Sequence, residues 1–461
     1  MIHAPGFRMQ KPMPQKYPLR YVENALSPKA QQNALSKMLS NPRFKKYALN
    51  AVFLAEQVFF SGANFLLMVV LTRFYTETEV SSYGIGLSIS LVMQGILRNC
   101  YMVQNSVLPP SIARNRASKV MGQHLIIWLG IAAVEAVLLL ILLTTDTDSR
   151  KVSIMAATIV TTLIYGHLSF DRIMMIKHEK YLSPMVAAFI FALLVGSLFL
   201  LNWSGHNISF LEMMMTLILF ALGKIIYSST FVAKPDFFWG WRLTKNNMKK
   251  YFVSSTMGSL GYTGYNHIPL FVLGLLPSQV PAAVFTAMRG LTQPLQMLIR
   301  SMDVVDKNFF QTKAVMTEKD VRDKLFRQFT LYALFSAAFI IAAVFFGELI
   351  IHLAYGEKYA RSVPVLIGFS VWALLMTISF PLETVIVRKG RLKKYNYQRL
   401  IAGAGGTIFA YFLCPSYGAL GCIWASNIGS IIATLLTVWL IRDVIFLKTV
   451  SPLSDEQPRA A

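Results

Sequence analysis

The sequence predicts an all-α polytopic membrane protein, with about 12 transmembrane helices in two pseudo-symmetric six-helix lobes. Composition, a series of long apolar stretches and an internal repeat of polar residues carry that prediction. Of 461 residues, 55% are hydrophobic and 14% charged, with a mean hydropathy of +0.50. An ordinary soluble domain is about 45–50% apolar and about 25% charged.

A helix needs about 20 mostly apolar residues to cross the hydrocarbon core. Twelve such stretches lie at roughly 48–72, 83–105, 123–143, 152–170, 184–202, 211–231, 252–274, 280–302, 328–353, 362–387, 396–414 and 419–441. Little chain is left for a soluble domain. Residues 1–47 form a basic, Pro-containing tail without the apolar core of a signal peptide, suited to touching anionic lipid. Residues 48–231 make the first lobe, 232–251 a cytoplasmic linker, 252–441 the second lobe and 442–461 a second tail. Within the second lobe, 303–328 mixes charged and apolar residues in the manner of an amphipathic interfacial helix.

The net charge of +22 could suggest a nucleic-acid partner, but its placement excludes one. Roughly 34 of the 44 Lys and Arg fall in the tails and alternate loops, against about 5 in the opposite loops. That asymmetry retains loops on the cytoplasmic side, which places both termini in the cytoplasm.

Shifting the chain by 202 residues superposes Ser61–Asn64 on Thr263–Asn266, Tyr83 on Phe285, and Gln94–Arg98 on Gln296–Arg300. Apolar identities between membrane helices are cheap. Asn, Gln and Arg inside spans are rare because hydrocarbon penalises them, so three such matches in one register indicate duplication. An even number of helices per repeat keeps the halves parallel, with an axis along the membrane normal and a site between them.

The polar residues of two equivalent spans share a face. Gln94, Arg98, Tyr101 and Asn105 are spaced four, three and four apart, as are Arg289, Gln293, Gln296 and Arg300. Each set is a cationic stripe about three turns long, suited to an aqueous cavity in which Arg pairs with phosphate or carboxylate oxygens. Arg98, Arg289, Arg300, Gln94, Gln293 and Gln296 are therefore the candidate substrate-binding residues. Arg98 and Arg300 lie towards cytoplasmic ends, where snorkelling is the alternative reading; Arg289 lies deeper. Lys224 and Arg399 read as snorkelling anchors.

Glu56, Glu135 and His267 are candidates for coupling to an ion or proton gradient, with structural pairing as the alternative for each. The glycines at 258, 261 and 264 mark either a bending gate or close packing through small residues. Cys100, Cys414 and Cys422 show no disulfide framework and no metal-ligand spacing, and no cofactor is expected.

Three stretches carry a family likeness. Phe65–Gly86, with Leu71-Thr72-Arg73-Phe74-Tyr75 and Tyr83-Gly84, resembles the opening of Wzx-like polysaccharide flippases. Tyr355-Gly356-Glu357-Lys358-Tyr359, continuing through Ser362 to Pro364-Val365-Leu366, resembles their loop before span ten. Pro415–Gly421 resembles their last hairpin. The wider group is the multidrug, oligosaccharidyl-lipid and polysaccharide exporter superfamily. The resemblance implies two lobes in a V, alternating access and a cationic lumen. Its implied cargo is a polyprenyl-diphosphate-linked oligosaccharide for O-antigen or exopolysaccharide, with polysaccharide polymerase as a partner.

A cation-coupled drug exporter of the same superfamily is one alternative, though carboxylates and not arginines would then dominate the stripes. A peptidoglycan lipid precursor flippase is another. A membrane glycosyltransferase or polymerase would need acidic or metal-binding residues in a sizeable loop, and the outward loops are short, so no enzyme is expected.

Overall fold

The computed structural model describes residues 42–97, 100, 115–145, 148–177, 182–231, 233–296, 299 and 318–446. The chain divides into two compact units, residues 1–53 and 54–461. Of the first, the described part is the opening of a helix. The second contains the rest of that helix and every other described element.

The first half comprises α1 (Pro42–Phe74), α2 (Glu77–Leu97), α3 (Ala117–Thr144), α4 (Ser149–Lys177), α5 (Leu182–Trp203) and α6 (Phe210–Phe231). The second comprises α7 (Phe237–Asn266), α8 (Ile268–Gly274), α9 (Val280–Leu291), α10 (Glu318–Tyr355), a 3-10 turn (Glu357–Ser362), α11 (Val363–Arg388), α12 (Leu392–Leu440) and the short α13 (Arg442–Ile445). No strand occurs among the described residues. Eight of their helices are long and apolar enough to cross a membrane, and α12 holds two crossings.

That doubling is visible in the backbone. Gly418 leaves the helical region at φ 57°, three residues after Pro415. The Cα atoms of Cys414 and Cys422 stand 4.8 Å apart, whereas eight residues of straight helix would separate them by about 12 Å. The chain therefore reverses here, as the apolar stretches 396–414 and 419–441 require. The reversal also corrects the reading of the cysteines, because Cys414 and Cys422 form a disulfide across the hairpin.

Helix starts follow local chemistry. Thr76 and Glu79 form a reciprocal capping box at α2: the Thr76 N–H donates to Glu79 Oε2 at 2.9 Å and the Glu79 N–H to Thr76 Oγ1 at 3.4 Å. Ser209 and Glu212 repeat the arrangement at α6, at 2.8 and 3.3 Å. The predicted span 252–274 is one apolar stretch but two helices. Pro269 supplies no N–H to the preceding turn, so the ladder breaks at His267, which ends α7 and begins α8.

Within the first half α4 packs against α2, α3 and α6; within the second α12 packs against α7, α8 and α11. The halves meet where α2 touches α7 and α9, and where α3 touches α7. Gly258, Gly261 and Gly264 lie against Asn396, the Arg399 backbone and Gly403 of α12. They make a close-packed seam, and the bend lies beyond them, at His267. Large apolar side chains remain outward on α3 (Val134, Val137, Leu140, Ile141) and α10 (Leu334, Ile341, Phe345, Phe346). Hydrocarbon is the solvent those faces fit.

Candidate functional site

Asn64 and Asn266, matched by the repeat, make the same pair of hydrogen bonds. Each Nδ2 donates to the carbonyl four residues back, Asn64 to Phe60 at 2.9 Å and Asn266 to Tyr262 at 3.2 Å. Each Oδ1 accepts from an aromatic side chain on the fourth crossing of its own half: Tyr165 Oη at 2.5 Å, Trp372 Nε1 at 2.8 Å. The glutamines of the stripes are likewise duplicated. Gln94 Nε2 donates to Ser90 Oγ at 3.4 Å, and Gln296 Nε2 to Thr292 Oγ1, the equivalent position, at 2.9 Å.

The second half builds on its asparagine. The Arg289 guanidinium lies over the Trp372 ring, 5.6 Å from its centroid. The indole beneath is fixed by Asn266. His267 is fully buried beside them, its ring 5.9 Å from Tyr262. Tyr262 in turn lies under Arg399, 5.4 Å away, and Arg399 stacks on Tyr395 at 4.4 Å. Arg399 is therefore a half-buried cation lying among aromatic rings. Lys224 is also buried, with Nζ donating to Ser228 Oγ at 3.3 Å.

Arg289 is half-buried at the end of α9, a helix otherwise largely enclosed. Its backbone carbonyl accepts from Thr292 Oγ1 at 2.8 Å. Gln94, Gln293 and Gln296 are half-buried too. Arg98, Arg300, Tyr101 and Asn105 lie outside the described residues, as does most of 303–328, of which Glu318–Gln328 continues into α10.

The coupling candidates occupy three separate settings. Glu56 is buried and accepts from Gln57 Nε2 at 2.9 Å. Glu135 is buried between α3 and α4, with Oε1 accepting from Thr162 at 3.1 Å and Oε2 without a partner. His267 belongs with Arg289, and its Nδ1 has no hydrogen-bond partner. A titratable pair not anticipated from sequence is His124 and His167, buried and joined Nε2 to Nδ1 at 3.0 Å, with His124 stacked on Phe170 at 3.7 Å. Forty-three positions separate the two histidines, and neither falls in a motif that would have flagged them.

At the end of the molecule predicted to face outward, the halves clasp one another. Arg73 at the end of α1 donates to the carbonyls of Leu353 and Ala354, the latter at 2.9 Å, in the last turn of α10. Lys358 returns the contact: Nζ meets the Tyr75 carbonyl at 3.0 Å and Glu77 at 3.2 Å. Arg150, in the first turn of α4, donates to the Gly274 carbonyl at the end of α8. These cations sit at helix C-terminal ends, where orphan carbonyls carry partial negative charge. Lys358 and Arg150 occupy corresponding places, each just after the third crossing of its own half and each on the end of the first crossing of the other. Ser81 Oγ adds a 3.3 Å bond to Gln279 Oε1. Nearer the opposite end, Ser259 Oγ donates to the Val92 carbonyl at 3.2 Å.

No protein-family description and no curated protein sequence matches the chain. Solved structures match its fold. A lipid II flippase, MurJ, in an inward closed conformation superposes with a TM-score of 0.62 at 13% identity, covering 85% of this chain and 87% of that one. The multidrug transporter DinF-BH in complex with R6G gives 0.57 at 16% identity, covering 89% and 98%. An inward-facing multidrug resistance transporter of the MATE family, MOP superfamily, gives 0.53 at 11%, covering 87% and 96%. The chain is thus a multi-pass membrane protein that shares the two-lobe helical fold of these solved structures.

Proposed function

We propose that the chain is an alternating-access transporter that flips a polyprenyl-diphosphate-linked oligosaccharide across the bacterial inner membrane for surface polysaccharide synthesis, with both termini cytoplasmic. The single observation that carries this reading is the seated positive charge of the half-buried Arg289. Arg289 sits inside the second half on an indole held by Asn266. A guanidinium so placed suits a diphosphate or an anionic sugar and repels a cationic drug.

The cycle begins with the cytoplasmic side open and the outward clasp closed. The diphosphate enters between the halves along Gln94, Gln293 and Gln296, while the polyprenyl tail stays in lipid. Arg98 and Arg300 meet the anion first, and Arg289 holds it as the halves rock. Release requires the Arg73, Arg150 and Lys358 contacts to part. No covalent chemistry is needed, so the protein acts as a transporter and not as an enzyme. A proton or cation gradient drives the cycle through one of Glu56, Glu135 and His267.

A second reading, a flippase of peptidoglycan lipid precursors, is favoured by one specific observation, the superposition on a lipid II flippase over 85% of the chain. A drug exporter draws support from the multidrug transporter superpositions. Depleting the protein and identifying which lipid-linked sugar accumulates on the cytoplasmic face separates the first two readings. Arg289→Ala, expressed at the normal level, is expected to abolish export in a complementation assay. Export at the wild-type rate by that variant would sink the anionic-cargo reading.

A further inference from the structure

The first four turns of α7 carry a surface that the transport cycle leaves unused, and we infer that it docks the headgroups of anionic phospholipids. Phe237, Phe238, Trp239 and Trp241 are all exposed there. Arg242, Lys245, Lys249 and Lys250 are exposed on the same helix. No acidic residue occurs in Phe237–Asn266. The one adjoining acid, Asp236, is already engaged, its carboxylate accepting the Trp239 N–H at 3.1 Å as the helix N-cap.

Two features fix which face is offered. Gly240 and Gly122 bring α7 against α3 so closely that a Cβ on either would meet backbone of the other segment. The Asp236 N–H also donates to the Ser118 carbonyl at 2.9 Å. With the Gly240 and Thr244 face seated on the protein, the opposite face turns outward. At 3.6 residues per turn, Arg242, Lys245 and Lys249 form one stripe on it, and Trp241, Met248 and Phe252 a stripe along its edge. Cations beside an aromatic edge are what an anionic membrane surface attracts.

Charge complementarity identifies the occupant. Among the described residues, none of the four cations is paired with a carboxylate. Arg242 instead lies over the rings of Phe238 and Trp239 at 4.6 and 5.1 Å, and Lys119 of α3 over Trp239 at 4.6 Å. The described residues supply these cations with no counter-charge, and the phosphates of a headgroup layer do. The cations stand immediately before the apolar part of α7, within reach of a headgroup layer, and a snorkelling stem keeps each there. Because α7 packs on α3 at this end and on α12 along its remainder, a lipid held here sits on the element that joins the halves.

The test uses the full-length protein in nanodiscs of phosphatidylcholine containing a minor share of spin-labelled phosphatidylglycerol or spin-labelled phosphatidylcholine. The motionally restricted fraction of each label reports its relative affinity for the protein. The wild type is expected to prefer phosphatidylglycerol, and added salt to weaken the preference. The quadruple variant R242Q/K245Q/K249Q/K250Q is expected to lose it by roughly fivefold or more. Trp241→Ala, which leaves every charge in place, is expected to weaken it less. A quadruple variant that elutes and melts as the wild type yet keeps the full preference would overturn the proposal, as would a wild type with none. Displacement of the label by a soluble polyprenyl diphosphate but not by unlabelled phosphatidylglycerol would also overturn it, assigning the stripe to cargo.

Discussion

Gly84 on α2 and Thr286 on α9 lie against each other across the seam, and they are 202 positions apart, the spacing of the repeat. Equivalent residues of two related halves can touch only where the axis relating them passes between. The axis inferred from the register therefore runs through this contact. A Cβ on Gly84 would overlap the Thr286 side chain. Gly84→Ala is expected to destabilise the closed seam by about 1–3 kcal/mol. Adding Thr286→Gly should return most of that. Melting temperatures of the purified variants decide the matter; no loss in the single variant would mean that α2 and α9 separate readily.

The outward clasp predicts a graded response. Each cation on a carbonyl or carboxylate is a partly exposed contact worth on the order of 0.2–1 kcal/mol. Lys358→Ala or Arg73→Ala alone should open that end up to about fivefold more often. The triple change with Arg150→Ala should do so cumulatively, because the contacts lie on both sides of the axis. A cysteine at Ser81, labelled from outside by an impermeant thiol reagent, measures the opening. Labelling that stays at the wild-type rate in the triple variant would remove the clasp from the mechanism.

The matched asparagines predict matched costs. Asn266→Ala leaves the Trp372 indole N–H without its acceptor, and Asn64→Ala does the same to the Tyr165 hydroxyl, each at about 1–3 kcal/mol. Only Asn266 also supports a ring that carries Arg289. Both variants should melt earlier, and Asn266→Ala should in addition impair export. If the two lose export equally at equal expression, Trp372 is not seating a functional guanidinium.

What could be read from the sequence followed the physics of the bilayer. Apolar length located the crossings, and the cost of polar groups in hydrocarbon made Asn64, Gln94 and their partners conspicuous. The same cost made Arg289 stand out. The pairing of Asn with Tyr165 or Trp372 was not legible, because partners from different helices meet at no fixed sequence spacing. The His124–His167 pair escaped for that reason. The Cys414–Cys422 pairing is not legible either, because eight residues apart means opposite ends of two turns on a straight helix; only the reversal at Gly418 brings them together. Nor is the aromatic setting of Arg399 legible, because sequence gives the depth of a cation but not which helix packs beside it.

The turn between α11 and α12 predicts a pH response. Arg391 holds Asp443 with two bonds, Nη1 to Oδ1 at 2.7 Å and Nη2 to Oδ2 at 2.9 Å, and Lys389 adds a contact at 3.5 Å. Burial alone would push the Asp443 carboxyl up, but the Arg391 bonds and charge, with Lys389, hold it below the ordinary aspartate value. A carboxyl depressed on folding contributes stability that is fully present above its unfolded pKa of about 3.9. That stability is lost as pH falls through the lower folded value. Asp443→Asn should therefore melt earlier than the wild type at neutral pH. The difference should shrink on acidification below about pH 4, as the wild type surrenders the same interaction. The group is partly exposed, so the effect should be small and should narrow further in high salt. Melting curves of both proteins across that range, in detergent, give the comparison. A gap that widens towards acid would show that Asp443 titrates in the opposite sense and that Arg391 does not hold it.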